Sequence, residues 1–336
     1  MTKTRSRAAI AVALAAGLAL SACGGGSSSA DATTLNIVGF AVPEQANKAI
    51  AAEWNKTPEG KGVKFQTSYG ASGDQSRAVV AGLKADYVHF SVASDVTRLV
   101  TEGLVDETWD DGPTKGVVSS SVVVLAVQKG NPKNIQGWAD IVKPGVGIVT
   151  PDPGTSGSAK WNLLGAYTQA LGPNGDKAAA TSYLQSFVKN VVSWNDSGRT
   201  ATDAFVKGTG DVLISYENEA IAARAAGVEL DYVVPDTTFL IENPAAVLKD
   251  ADPVTKDFLA YIEGDEGQKI LGSKGFRPVD GTPGTTTGVE GANDPAKPFP
   301  AVTNLVTVAD LGGWSAVNDK FFDKEKGLVT QLRGNG

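Results

Sequence analysis

Three times in this sequence an extended, β-prone run gives way to Ser, Thr and Gly and then to apolar residues at helical spacing. Val63 to Thr67 is followed by Tyr69-Gly70-Ala71-Ser72-Gly73-Asp74-Gln75-Ser76-Arg77 and then by Ala78, Val79, Val80 and Leu83. Gly147-Ile148-Val149-Thr150 leads through Thr155-Ser156-Gly157-Ser158 into a helical pattern from Ala159 to Leu171. Val191 to Trp194 leads through Ser197-Gly198-Arg199-Thr200 into another from Ala201 to Lys207. A strand feeding a helix through a tight polar turn is the pattern of a sheet covered by helices. It also aims free backbone N–H groups and the positive end of a helix dipole at one spot, where an anion is favoured. Singly, such residues before a helix are more often plain caps and turn formers. Three together point to one pocket built from backbone dipoles.

The alternation runs through most of the chain. Leu35 to Phe40 reads as a strand, Pro43 to Trp54 as a helix opened by proline, Tyr87 to Val92 as a strand and Ser94 to Glu102 as a helix. Ser119 to Val127 has no helical spacing and reads as a strand passing into a second domain. That domain would hold helix Ile135 to Ile141, the second and third polar turns, helix Lys177 to Val188 and strand Asp211 to Tyr216. Phe239 to Val247, broken by Pro244, would carry the chain back to helices over Pro253 to Ile262 and Glu266 to Leu271. Asp280 to Lys297, rich in Gly, Thr, Pro and Asp, reads as a surface loop or local disorder. Trp314, Val317, Phe321 and Phe322 have helical spacing and are expected to pack on the first domain. The expectation is a two-lobed α/β protein, with 34–122 and 244–336 in one lobe and 123–243 in the other, each a mixed sheet flanked by helices. Two crossing segments would let the cleft open and close on a ligand.

At the amino terminus Lys3, Arg5 and Arg7 precede an Ala/Leu-rich core from Ala8 to Leu20, the form of a secretory signal over residues 1–22. Leu20-Ser21-Ala22-Cys23 resembles a bacterial lipobox. Cys23 is the only cysteine, so no disulfide forms within the chain, and lipid attachment is the expected use of its thiol. Residues 23–33 would be the anchor and a flexible linker, holding the protein on the extracytoplasmic face of the cell membrane. The net charge of −7 becomes about −10 once those three basic residues are cleaved away, which argues against nucleic acid as a partner. It also leaves any anion site dependent on local dipoles.

Catalytic chemistry is poorly supplied. His89 is the only histidine and falls in a predicted strand, where a lone histidine is usually structural; most nucleophilic and zinc sites are thereby excluded. Ser186 to Lys189 is a Ser-x-x-Lys without its companion motifs. Asp110-Asp111-Gly112 lacks the spacing of a calcium loop. Glu217 and Glu219 could form a paired-carboxylate site, although acidic residues at a helix start are commoner. No cofactor or metal is implied, and no enzyme is expected.

Together these stretches resemble the bacterial sulfate and thiosulfate binding proteins, the extracytoplasmic receptors of sulfate ABC importers. The resemblance covers nearly all of 34–333 apart from the loop after Asp280. It rests on Ser68 to Lys84, Lys129-Gly130-Asn131-Pro132-Lys133, Lys143-Pro144-Gly145-Val146 and Pro151 to Asn162 with its Ala159-Lys160-Trp161-Asn162. Asp196-Ser197-Gly198, Gly210 to Ile214 running on to Glu217-Asn218-Glu219, and Phe276-Arg277-Pro278 complete it. It implies a type II periplasmic-binding-protein fold, a monomer docking on membrane permease subunits, and a dehydrated dianion held by neutral donors.

Carried over by position, Ser72 would give a hydroxyl and an N–H, Ser156, Gly157 and Ser158 hydroxyl and backbone donors, Ala41 one N–H, and the Gly198/Arg199 turn another. Tyr216 stands where the family's sulfate receptors place a Trp, and can both donate and accept. Ala41 replaces a usual Asp, which would leave Arg199 without a carboxylate partner. Gly70-Ala71-Ser72-Gly73 replaces Gly-Gly-Ser-Gly, and the Ser197-Gly198-Arg199 turn is one residue short. A donor-only pocket suits an oxyanion without a proton, because the hydroxyl of phosphate would stay unpaired at a cost of about 1 to 3 kcal/mol. Thiosulfate and molybdate satisfy the same chemistry. A lipid-anchored hydrolase on this fold and a scaffold lipoprotein without a small ligand are the competing classes.

Overall fold

A computed structural model describes residues 33–279 and 287–334. The signal, lipobox and anchor readings, Cys23 included, lie outside the described residues. The chain opens with β1 (Thr34–Phe40), α1 (Glu44–Trp54), β2 (Lys64–Gly70), α2 (Ser72–Val80), β3 (Tyr87–His89) and α3 (Ala93–Thr101). β4 (Val117–Gln128) leads to α4 (Trp138–Ile141), β5 (Ile148–Pro151), α5 (Gly157–Leu171), α6 (Lys177–Asn190), β6 (Val191–Asn195) and α7 (Gly198–Val206). β7 (Val212–Tyr216), α8 (Glu217–Ala225), β8 (Leu230–Val233) and β9 (Thr237–Val247) follow. Then come α9 (Val254–Glu263), α10 (Asp265–Ser273), β10 (Asn304–Val306), α11 (Gly313–Val317) and α12 (Leu328–Gly334).

The strands follow the order β2-β1-β3-β9-β4-β7-β5-β6, with β10 on β9 and β8 on β4. β1 to β3 are parallel, as are β5 to β7, because a helix returns the chain between them. β9 and β4 are the antiparallel exceptions. The first part of β4 pairs with β9 and its second part with β7, while β9 goes on to pair with β3. These two long strands therefore belong to both groups. β4 is buried along nearly its whole length, since Val123, Leu125 and Val127 enter one core cluster and Val122, Val124 and Ala126, on the opposite face, another.

Several expectations change. Tyr87 to Val92 is a strand only to His89; the Phe90 N–H still donates in register to the Pro244 carbonyl of β9 at 2.9 Å, but Pro244 has no N–H to return and the ladder ends there. β9 is not broken at Pro244, which pairs with Val117 where the register shifts. The helix expected from Ile135 begins only at Trp138, because Asn131 and Asn134 take left-handed backbone angles and the Asn131 side chain closes a turn onto Ile135. β8 and β10 are too short to show a period. In the presumed surface loop, Val289 and Ala292 are buried against α8 and its neighbours.

The carboxy-terminal segment touches α3 through α11, as expected, but also covers α5. Trp314 meets Trp161 edge-on at 4.8 Å, Phe321 meets Tyr167 at 4.8 Å, and Lys160 donates to Asn318 at 2.8 Å. All three partners are on α5, whose outer face is aromatic and needs cover.

His89 is structural, fully buried between Asn47 Oδ1 at 3.2 Å and Ser119 Oγ at 3.1 Å. Burial pushes its pKa from 6.5 to about 3. Between those values the unfolded chain takes up a proton that the folded chain refuses, so stability is lost as pH falls below 6.5. The slope approaches about 1.4 kcal/mol per pH unit. Buried Glu217 and Glu219, raised by burial, act in the opposite sense. Comparison with His89→Gln removes their share: between pH 6.5 and 4.5 the melting temperature of the parent protein should fall more steeply than that of the variant. Parallel curves would show that His89 does not stay neutral.

Candidate functional site

Three helix starts converge where the two groups of strands meet. α2 begins at Ser72 after Ala71, and α5 at Gly157 after Ser156; neither cap residue's side chain satisfies the first turn. The first-turn N–H groups have no partner inside their own helix. Among the described residues no acceptor takes the N–H of Ser72, Gly157, Ser158 or Gly198. At α7 the Ser197 hydroxyl caps Thr200, which leaves Gly198 and Arg199 as the outward-facing donors.

The residue that ties these starts together is Ser91, in the short turn between β3 and α3. Its N–H donates to Ser72 Oγ at 2.9 Å, and its hydroxyl lies 2.7 Å from the Tyr216 phenol. Its carbonyl accepts from Trp161 Nε1 at 2.9 Å and from Asn243 Nδ2 at 3.0 Å. Gly157 presses so close that an added Cβ would come within 2.7 Å of Ser91 Cβ and Oγ. A Cβ on Gly198 would meet Ser158 Oγ at 3.2 Å. Gly73, in the first turn of α2, donates to the Thr155 carbonyl at 2.9 Å. Ser72, Gly157, Ser158, Gly198 and Tyr216 are thus brought into one cluster, with Ser156, 3% exposed, at its edge.

Three carried-over roles change. The N–H of Ala41 is already donated to Gly70 at 3.0 Å, because the pairing of β1 with β2 continues one residue past Phe40. The Ser72 hydroxyl gives its only proton to Asp95 at 2.6 Å and accepts from Ser91, so its backbone N–H is the free donor. Arg199 does have a carboxylate partner, Glu219 at 2.7 Å; the Glu arrives from α8 and replaces the Asp that Ala41 lacks. The Arg199 Nε remains buried without a partner among the described residues.

The paired-carboxylate reading of Glu217 and Glu219 also fails. Glu217 is fully buried and held in two bonds by Arg277, at 2.6 and 3.1 Å, whereas Glu219 pairs with Arg199 and Thr202. Each carboxylate has its own cation, and their two side chains share no proton or substrate position. Burial drives the Tyr216 phenol far above its ordinary pKa, although Ser158, Ser91 and Asn243 partly offset this. It therefore remains a neutral donor and acceptor at any ordinary pH. No cluster of metal ligands occurs among the described residues. The unpaired N–H groups and the hydroxyls of the cluster are suited to solvating an anion.

Ser91, Asp95, Thr155, Trp161 and Asn243 were missed as site residues. The sequence Ser91-Val92-Ala93-Ser94-Asp95 carried the same small-residue helix start as the other turns, and was hidden by reading the strand through to Val92. Asn243 gives no local signal, because its position depends on the register of β9.

The sequence profile of the bacterial extracellular solute-binding proteins matches residues 35–277. The chain is 38% identical over 307 residues to a sulfate-binding protein of Synechococcus elongatus, covering 88% of this chain and 85% of that one. It is 33% identical over 246 residues to a thiosulfate-binding protein of Pseudomonas aeruginosa, covering 70% and 74%. Among solved structures, the sulfate-binding protein SubI from Mycobacterium tuberculosis superposes with a TM-score of 0.81 at 44% identity, over 87% of this chain and all of that one. A match running from β1 through Arg277, and so through every helix start described above, makes this chain a member of the bacterial extracellular solute-binding protein family.

Proposed function

We propose that the protein captures sulfate outside the membrane and delivers it to an ABC permease. It is a solute-binding protein and not an enzyme. The observation that carries the reading is the meeting of uncapped helix starts from both groups of strands at Ser91 and Tyr216. The N–H groups of Ser72, Gly157, Ser158 and Gly198, with the Ser156, Ser158 and Tyr216 hydroxyls, would replace the hydration shell of a dianion. Residues 34–122 and 244–336 would move as one lobe and 123–243 as the other. The contacts of the carboxy-terminal segment with α5 support reassigning that segment to the second lobe. Lipid attachment at Cys23 would hold a monomeric receptor beside its permease.

Calorimetry on the chain from Asp31 onward should show sulfate binding, with phosphate weaker by at least the about 1 to 3 kcal/mol of its unpaired hydroxyl. Absence of heat with sulfate, thiosulfate and molybdate would dismiss the reading. In competition, thiosulfate displacing sulfate at a lower concentration than sulfate displaces thiosulfate would make thiosulfate the solute.

Gly157→Ala puts a methyl group 2.7 Å from Ser91 and should hold the lobes apart. Sulfate affinity should drop by about tenfold or more, equivalent to roughly 1.4 kcal/mol, with little change in the melting temperature of the ligand-free protein. Undiminished affinity would show that closure does not require this contact.

A further inference from the structure

Beside the helix starts lies a second cavity, of about 360 Å³, which shares Gly73, Ser156 and Gly157 with them. Its other walls carry both signs of charge, with the basic groups on four different segments. Arg77 comes from α2, Arg98 from α3, Lys160 from α5, and Lys324 from the turn before α12. Arg77 and Arg98 pair with Asp74 and Asp95. Lys160 makes no ion pair among the described residues: its ammonium donates to the neutral Asn318 amide and lies 5.9 Å and 5.2 Å from the rings of Trp314 and Phe322. The Ser94 hydroxyl, in the first turn of α3 and also lining the cavity, is buried without a hydrogen-bond partner among the described residues. Asp95, Asp319 and Asp323 are the acidic members of the wall. Asp95 is engaged by Ser72 and Arg98, and Asp323 by the N–H groups of Glu325 and Lys326.

Among the described residues, the one carboxylate whose field reaches the half-buried Lys160 ammonium, Asp95, is already shared with Arg98 and the Ser72 hydroxyl. The ammonium's charge is therefore incompletely matched, and a cavity open to solvent lets a mobile anion complete the match. The opposite side of the cluster differs. There Arg199 is already matched by Glu219, and Lys274 is accompanied by Asp203 and Glu290. We propose that the Lys160 cavity is a second, weaker anion site, a vestibule that draws a fully ionised oxyanion from solvent and passes it to the donors at Gly157. It rests on the oxyanion reading above, and it supplies the attraction that a chain of net charge −7 does not provide at long range. Local fields of this kind raise association rates and fade with added salt.

The test is stopped-flow tryptophan fluorescence with sulfate on the parent protein, Lys160→Gln and Lys324→Gln, each at low ionic strength and at high salt. The expected result is an association rate lowered roughly two- to fivefold in each variant at low salt, a difference that closes at high salt, and an unchanged dissociation rate. Lys324→Gln keeps the test decisive if Lys160→Gln disturbs the packing of Trp314. Equal association rates at low salt, or a deficit that persists at high salt, would overturn the vestibule while leaving the sulfate reading intact. No sulfate response from the parent protein would remove both.

Discussion

The arrangement depends on Ser91. A single residue in a tight turn hydrogen-bonds to α2 through Ser72, to α5 through Trp161, to the end of β7 through Tyr216 and to β9 through Asn243. Every polar atom of Ser91 is thereby engaged, in a place with no exposed surface, where an unmet donor or acceptor would be costly. The helix starts can meet only if this junction forms. Gly157 is the complementary requirement, because any side chain there would occupy the space that Ser91 fills.

Charge is handled by pairing each ion at the edge of the cluster. Glu217 is matched by Arg277, Glu219 by Arg199, and Asp95, which accepts from the Ser72 hydroxyl, by Arg98. Residual desolvation still raises both Glu residues. What faces the centre is neutral: backbone N–H groups, hydroxyls, and a tyrosine that burial keeps protonated. Neutral dipoles fixed in direction select by protonation state as well as by charge, since an incoming O–H finds few acceptors among them.

Much of this was legible in the sequence because it is local. A strand, a small polar turn and a helix are written in consecutive residues, and the starts at Ser72, Gly157 and Gly198 were placed to within a residue or a few. Periodicity also placed most of the longer elements. What could not be read depends on pairs distant in sequence. The partner of Arg199 is Glu219 on another helix, the Ala41 N–H is consumed by a strand register, and Asn243 reaches Ser91 across 152 positions. The α5 face that receives the carboxy-terminal segment was visible as an aromatic-rich helix, but its cover was not, because nothing local joins Trp161 to Trp314.

That cover affects how the chain is completed. Trp161 and Tyr167 are made long before Trp314, Phe321 and Arg333, which lies over Trp194 and pairs with Asp152. Chains fold as they are made, amino-terminal parts first. The outer face of α5 must therefore wait, apolar and uncovered, until that later segment arrives. A chain cut short after α10 would leave those rings as a sticky surface, so a segment that comes well after the anion-binding helices decides whether α5 is sealed from water.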